Sequence, residues 1–176
     1  MIDCAEENKT DIKTGTIICV TGHRPEKLYG YNYDEPRWKD LRESFKMKLK
    51  EYGCKKAICG MALGVDQIFA LAVLELKQER YNLKLCCAIP CRHYSSRWTG
   101  QSKRIYEYII KQADEVVLVT DMNYHPSLMQ VRNEWMVNHS NLVLAVWNGT
   151  SGGTKNCIDY AREIGIPVLN LMEGCS

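Results

Sequence analysis

The sequence predicts an α/β fold in which an open parallel sheet carries helices on both faces, as in Rossmann-like domains. Short apolar runs alternate with segments of helical periodicity, and no internal repeat or linker interrupts the alternation. Two short strand-to-helix turns, residues 60–64 and 148–154, are rich in glycine, as is common in parallel sheets that bind ligands at their carboxyl edge. We expect residues 1–15 to form a flexible lead and residues 16–176 to form one domain.

Apolar runs mark the strands, and apolar residues at helical spacing mark the helices between them. The runs are short and rich in β-branched residues, as strands buried on both faces of a sheet require. Strands are predicted at residues 16–21, 56–59, 83–89, 115–120, 142–147 and 167–171. Helices are predicted at residues 38–52, 66–80, 102–112 and 127–138, and a last helix runs from a glycine-rich turn to Ile164.

An aromatic segment, residues 28–37, separates the first strand from the first helix. It places Tyr29, Tyr31 and Tyr33 among turn-forming residues, which predicts an exposed loop. As a lid, this loop would offer tyrosines that stack on a base or ribose. The alternative is that the same tyrosines pack against neighbouring helices.

The turn after the fifth strand carries the strongest indication of a ligand site. It reads Asn148-Gly149-Thr150-Ser151-Gly152-Gly153-Thr154 and opens into the last helix. Glycines let the backbone approach a ligand, and a helix start supplies unpaired N–H groups and the positive end of a dipole. This pattern predicts an anion site, for phosphate above all. An ordinary turn with a Ser or Thr cap is the alternative.

The first strand ends in a polar tip, Thr21-Gly22-His23-Arg24. Arg24 is a candidate phosphate or carboxylate partner because a guanidinium donates two bonds at once. His23 is a candidate ligand contact or acid/base group. The alternative is that both side chains only hold the loop in place.

A second glycine-bearing turn follows the second strand and contains Gly60, Gly64 and Asp66. Asp66 lies at a helix start, where it either caps the helix or accepts a ribose hydroxyl. Asp121 lies at the tip of the fourth strand. Strand tips of a parallel sheet share one edge, so these turns are expected to converge where the strand order reverses.

Composition excludes several classes of protein. The chain has 176 residues, of which 45% are hydrophobic and 25% are charged, and its formal net charge is +2. This balance neither requires nor excludes nucleic acid. No apolar run is long enough to cross a bilayer, so we expect no membrane partner. The polar, acidic N-terminus resembles neither a signal nor a transit peptide, and we expect a cytoplasmic protein.

Nine cysteines are scattered along the chain, and we interpret them as reduced, apolar core residues. Cys86, Cys87, Cys91 and His93 form the one local cluster. Their spacing matches no zinc pattern, and two of them would point to opposite faces of a strand. We therefore predict no metal site.

Five pieces in this order resemble the YpsA-like branch of the SLOG superfamily. They are Thr21-Gly22-His23-Arg24, residues 60–66, Ala113-Asp114, Trp147-Asn148-Gly149 and Gly152-Gly153-Thr154. The resemblance implies a Rossmann-like fold that binds nucleotides or nucleotide-derived ligands. Related branches include DprA, the Lonely Guy phosphoribohydrolases and sensors of ADP-ribose-type signals in bacterial defence. The likeness therefore also implies a role in anti-phage defence or counter-defence, and it favours a homo-oligomer.

The Lonely Guy family is similar in one motif and different in another. Its Met-x-x-Arg-Lys motif matches residues 129–133, with Arg132 at the arginine position and asparagine in place of lysine. Its PGGxGTxxE turn matches only at Gly153-Thr154, because Cys157 stands at the glutamate position and Trp147 at the proline position. Loss of that carboxylate favours binding over glycosidic cleavage. Arg132 is then expected to clamp a phosphate, or else to form a surface ion pair.

The leading hypothesis is a protein that binds a phosphorylated nucleotide derivative, either as a sensor or by sequestration. An N-glycosidase that uses Arg132 with Asp66 or Asp121 is the second hypothesis. Single-stranded nucleic-acid binding ranks last, because the basic residues are interspersed with acids. The GxGxxG dinucleotide fingerprint is missing, so we predict neither hydride transfer nor a cofactor. The residues expected to contact the ligand are Thr21, Gly22, His23, Arg24, Gly60, Gly64, Asp66, Asp121, Arg132, Asn148, Gly149, Ser151, Gly152, Gly153 and Thr154.

Overall fold

The structure, a computed structural model, describes residues 16–172 and confirms the α/β fold. The predicted lead, residues 1–15, lies outside the described residues. Six strands form the sheet: β1 Ile17–Gly22, β2 Lys56–Cys59, β3 Lys84–Ile89, β4 Glu115–Leu118, β5 Leu142–Val146 and β6 Val168–Asn170. The α-helices of this part of the chain are α1 Pro36–Glu51, α2 Val65–Gln78, α3 Gly100–Gln112, α4 Leu128–Asn138 and α5 Gly153–Glu163.

The sheet is parallel throughout and its strand order is β4-β3-β2-β1-β5-β6. From β1 the chain builds outwards to β4 and then returns to place β5 on the other side of β1. Gly22 is the register partner of Val146, so the carboxyl ends of β1 and β5 are adjacent. The strand order reverses at this point, where open α/β sheets form a ligand crevice.

The two faces of the sheet pack against different helices. Ile18 and Val20 of β1 join the core that contains α1 and α2. Cys19, which lies between them, joins the smaller core formed with α4 and α5. Cys87 and Cys86 divide between the same two cores, as alternation along a strand requires. The seven cysteines within residues 16–172 are buried and free.

Two of the three tyrosines of the aromatic segment pack against the first helix, which was the second of the two alternatives. The helix α1 already begins at Pro36, where a fixed φ suits the first helical position, and Glu35 accepts a hydrogen bond from the Arg37 amide. The rings of Tyr29 and Tyr33 pack edge-on against Trp38, with centroids 4.9 and 5.6 Å away. These two tyrosines therefore stabilise the start of α1, and stacking on a ligand base was the wrong alternative for them.

Tyr33 also connects this segment to the second glycine turn. Its hydroxyl accepts a hydrogen bond of 2.6 Å from the Gly64 amide. Gly64 has a φ of +88°, and a Cβ there would lie 2.9 Å from Pro25 Cδ. This position therefore needs glycine for backbone conformation and for space. The result is a fixed turn in front of α2.

Candidate functional site

A cavity of about 240 Å³ opens at the carboxyl ends of β1 and β5, where the strand order reverses. Its walls come from the tip of β1, the start of α2, the first half of α4 and the start of α5. The lining residues are Val20, Thr21, Gly22, His23, Arg24, Glu26, Lys27, Ala62, Asp66, Met129, Arg132, Asn133, Gly152, Gly153 and Thr154.

The start of α5 forms one wall. Gly152, the residue before the helix, has a φ of +138° and carries no side chain that could cap the first amides. A Cβ added at Gly153 would meet nothing within 4 Å, so the backbone there is open to a ligand. Exposed first-turn amides and the helix dipole together favour an anion.

Lys27 lies over the glycine-rich turn. Its Nζ donates to the Ser151 carbonyl at 3.1 Å, and an added Cβ on Gly152 would lie 3.5 Å from the same atom. The ammonium is exposed and lies near the start of α5. Lys27 therefore adds positive charge where the helix dipole is also positive.

The tip of β1 requires glycine and fixes a histidine. A Cβ on Gly22 would lie 2.5 Å from Val65, so only glycine lets α2 approach the strand. His23 Nε2 lies 2.6 Å from Asn148 Oδ1, which also accepts from the Thr150 hydroxyl. Burial lowers the pKa of His23, so the ring is neutral at pH 7. His23 thus ties the β1 and β5 tips together while it lines the cavity.

Arg132 and Asp66 form the buried floor. Arg132 Nη1 lies 3.8 Å from Asp66 Oδ2 and also donates to the Gly60 carbonyl. The Ala62 amide donates to the same carboxylate oxygen at 3.1 Å. Burial raises the pKa of Asp66, and the Arg132 charge acts against that rise. The expected surface ion pair for Arg132 is wrong, because the guanidinium is buried.

The structure brings together most of the residues expected from the sequence. Thr21, Gly22, His23, Arg24, Asp66, Arg132, Gly152, Gly153 and Thr154 line one cavity. The others lie outside the lining. Gly60 and Gly64 shape the turn behind it, while Asn148, Gly149 and Ser151 belong to the outer part of the β5 turn.

Asp121 lies apart from the cavity. It forms a two-point ion pair with Arg92, whose Nη2 donates to Asp121 Oδ2 at 2.6 Å. Both side chains are more than half exposed. The tip of β4 is at the edge of the sheet, three strands from β1, and Asp121 does not line the cavity at the switch point.

Six lining residues escaped the sequence analysis as ligand contacts: Val20, Glu26, Lys27, Ala62, Met129 and Asn133. Lys27 ends a short 3-10 helix, Pro25–Lys27, and the proline after Arg24 indicated such a turn. Asn133 accepts from Arg132 Nε at 3.0 Å and donates towards the Gly153 carbonyl at 3.5 Å. The sequence shows Asn133 next to Arg132, but the contact between Asn133 and α5 depends on tertiary packing.

A family model described as the YspA SLOG family, for YpsA proteins, matches residues 18–163. The chain belongs to the YpsA SLOG family. Over 117 residues, the YpsA-family chain is 32% identical to the SPbeta prophage-derived protein YoqJ of Bacillus subtilis strain 168. This alignment covers 60% of this chain and 68% of YoqJ. Over 154 residues, it is 28% identical to a UPF0398 protein of Bacillus thuringiensis strain Al Hakam. This alignment covers 85% of this chain and 84% of that protein.

Two solved structures share the fold of the YpsA-family chain. DprA of Streptococcus pneumoniae aligns with a TM-score of 0.60 at 15% identity, over 93% of this chain and 54% of DprA. DNA processing protein A of Helicobacter pylori aligns with a TM-score of 0.58 at 18% identity, over 94% of this chain and 71% of that chain. The chain thus spans about half the length of the pneumococcal protein.

In the YpsA-family chain, the position of the Lonely Guy glutamate is closed to a ligand. Cys157 is fully buried in the core between the sheet and α5. Burial raises the pKa of its thiol to about 11. The side chain at this position therefore supplies no carboxylate to the cavity.

None of the helices between residues 16 and 172 combines the length and the apolar character that crossing a bilayer requires.

Proposed function

We propose that this protein binds a phosphorylated, nucleotide-derived ligand, with a phosphate on the amides at the start of α5. The observation that carries the proposal is the shared position of Gly153, Thr154, Lys27 and Arg24 around one cavity at the switch point. Helix-start amides donate to phosphate oxygens, and the two cations supply charge at the same place. SLOG membership supports a nucleotide-type ligand.

The contacts of Asp66, the buried carboxylate of the cavity, favour binding over catalysis. Asp66 is engaged by Arg132 and by the Ala62 amide, which leaves it poorly placed to activate water. A protein that binds without cleaving would sense a signal, such as an ADP-ribose-like or cyclic nucleotide, or sequester it. As a further part of the proposal, it acts as a homo-oligomer, which light scattering coupled to size exclusion would test.

Calorimetric titration with AMP, ADP-ribose, a cyclic dinucleotide and adenosine tests the proposal. At least one phosphorylated compound is expected to bind, and adenosine is expected to bind at least about tenfold more weakly than AMP, because a charged hydrogen bond contributes about 1.5–3 kcal/mol. Lys27→Ala should weaken phosphate-dependent binding by a similar factor. Lys39→Ala, an exposed lysine of α1, is the matched control. Equal binding of adenosine and AMP would contradict the phosphate site.

Single-stranded DNA is the second candidate ligand. The Helicobacter pylori structure that shares this fold is described as showing a single-stranded DNA binding mode of that protein. Titration of a labelled oligodeoxythymidine at several salt concentrations tests this candidate. Affinity that falls steeply with salt, and exceeds that for every mononucleotide, would favour it.

A further inference from the structure

A second cavity, of about 440 Å³, adjoins the first and shares Arg24 with it. It lies beyond the carboxyl ends of β3 and β4, between the connection that follows β3 and the segment that follows β4. The residues that define it are Arg24, Arg92, Tyr94, Arg97, Trp98 and Tyr124. None of its described lining residues is a carboxylate, whereas the first cavity contains Glu26 and Asp66.

The charge of this cavity suits phosphate. Arg92 is partly neutralised by Asp121, as described above. Arg24 and Arg97 are both exposed, so their guanidinium groups can turn towards a ligand in the cavity. Guanidinium groups bind phosphate oxygens through two parallel hydrogen bonds, and they also stack on flat rings.

Aromatic rings line the same space. Tyr94 and Trp98 pack edge to face, with ring centroids 5.0 Å apart. Tyr124 is 57% exposed on the opposite segment. A cavity that combines aromatic faces with arginines offers both stacking for a base and charge for its phosphate.

Tyr94 lines the second cavity with a buried side chain. Its hydroxyl is buried and has no hydrogen bond of normal geometry with any residue from 16 to 172. Burial raises the pKa of Tyr94, while the Arg132 and Arg24 charges act against that rise. Arg132 lines the first cavity, and Arg24 lines both cavities. A neighbouring residue, His93, also lines this cavity and holds a left-handed φ of 54°.

We propose that the second cavity holds the second nucleotide unit of a small two-nucleotide ligand, whose first phosphate lies at the start of α5 and whose linking phosphate contacts Arg24. This inference rests on the proposed function and names its ligand class. The first cavity alone is smaller than the roughly 300–1,000 Å³ typical of small-molecule sites, and the second extends it. A ligand with one nucleotide would leave the arginines and rings of the second cavity unused.

The test compares AMP with the linear dinucleotide pApA in calorimetric titrations of the full chain. The wild type should bind pApA at least about tenfold more tightly than AMP. Arg97→Ala, which changes only the second cavity, should weaken pApA by about five- to tenfold and leave AMP unchanged. Arg104→Ala, an exposed arginine of α3 that lines neither cavity, should change neither affinity.

The outcomes separate this inference from the proposed function. Equal wild-type affinities for AMP and pApA, with no effect of Arg97→Ala, would overturn the second subsite and leave the phosphate site intact. Failure of both compounds and of ADP-ribose to bind the wild type would instead reject the proposed function. If Arg97→Ala weakened the binding of a labelled oligodeoxythymidine but not of pApA, the second cavity would bind single-stranded DNA. The assignment to a small ligand would then be wrong.

Discussion

The guanidinium of Arg132 and the carboxylate of Asp66 form an ion pair with both side chains 6% exposed. Arg132 belongs to α4 and Asp66 to α2, which pack on opposite faces of the sheet. The pair therefore connects the two layers at the carboxyl edge, where no strand separates them. The same contact forms the floor of the candidate phosphate cavity, so the stability of the fold and the shape of the site depend on it together.

Replacing Arg132 with methionine should lower the free energy of unfolding by about 3–5 kcal/mol, because it leaves the Asp66 carboxylate buried without its partner. Urea unfolding followed by circular dichroism measures the loss. Arg104→Met, at an exposed position of α3, is the control for the side-chain change.

The stability deficit of Arg132→Met should depend on pH. Burial already raises the pKa of Asp66, and the variant lacks the charge that opposes this rise. A carboxyl group whose pKa is higher in the folded chain than in the unfolded chain destabilises the fold as pH rises from the unfolded pKa to the folded pKa. The deficit relative to the wild type should therefore be largest near about pH 7 and smaller near about pH 5. An equal deficit at both pH values would show that Asp66 is not the group affected.

Two glycine substitutions should have opposite effects on the fold. A Cβ on Gly60 would lie 1.9 Å from Arg132 Nη1, so Gly60→Ala should displace the guanidinium and cost about 2–4 kcal/mol. A Cβ on Gly153 meets nothing, so Gly153→Ala should leave stability unchanged or raise it by about 0.4–1 kcal/mol. Thermal and urea unfolding compare the two. If Gly153→Ala also weakens AMP binding while the fold is intact, the methyl group has obstructed the phosphate position.

His23 should make stability fall in mild acid. Its folded pKa lies below the ordinary value of 6.5, so the unfolded chain binds the proton more readily. The stability that neutral His23 contributes is complete above the ordinary pKa of 6.5. It is lost as pH falls from that value through the folded pKa, at a slope of at most about 1.4 kcal/mol per pH unit. His23→Gln keeps a donor for Asn148 and should remove this dependence. His125→Gln, an exposed position before α4, should retain it.

The protein should not cleave nucleotide glycosidic bonds. Cys157 replaces the Lonely Guy glutamate and is buried, and Asp121 pairs with Arg92 away from the cavity. AMP and NAD incubated with a stoichiometric amount of protein should stay intact by liquid chromatography, with added adenine to calibrate detection. Release of free base that is abolished by Asp66→Asn would establish the catalytic alternative.

Contiguous sequence predicted part of the candidate site, but it did not predict which strand tips meet. The glycine turn before α5 was identifiable because strand, turn and helix are contiguous in the chain. Asp121 was included because every strand tip looks equivalent along the sequence. Strand order decides which tips meet, and it placed Asp121 at the far edge while it brought Lys27 over the turn.

The sequence by itself determined the alternation of strands and helices, the parallel sheet and the family, because these depend on hydrophobic periodicity and contiguous motifs. Only the tertiary structure decided that β1 lies beside β5, that the Tyr33 hydroxyl accepts from the Gly64 amide, and that Arg132 is an internal partner of Asp66. These relationships join residues far apart in the chain, and their energies come from packing and desolvation, which no local pattern encodes.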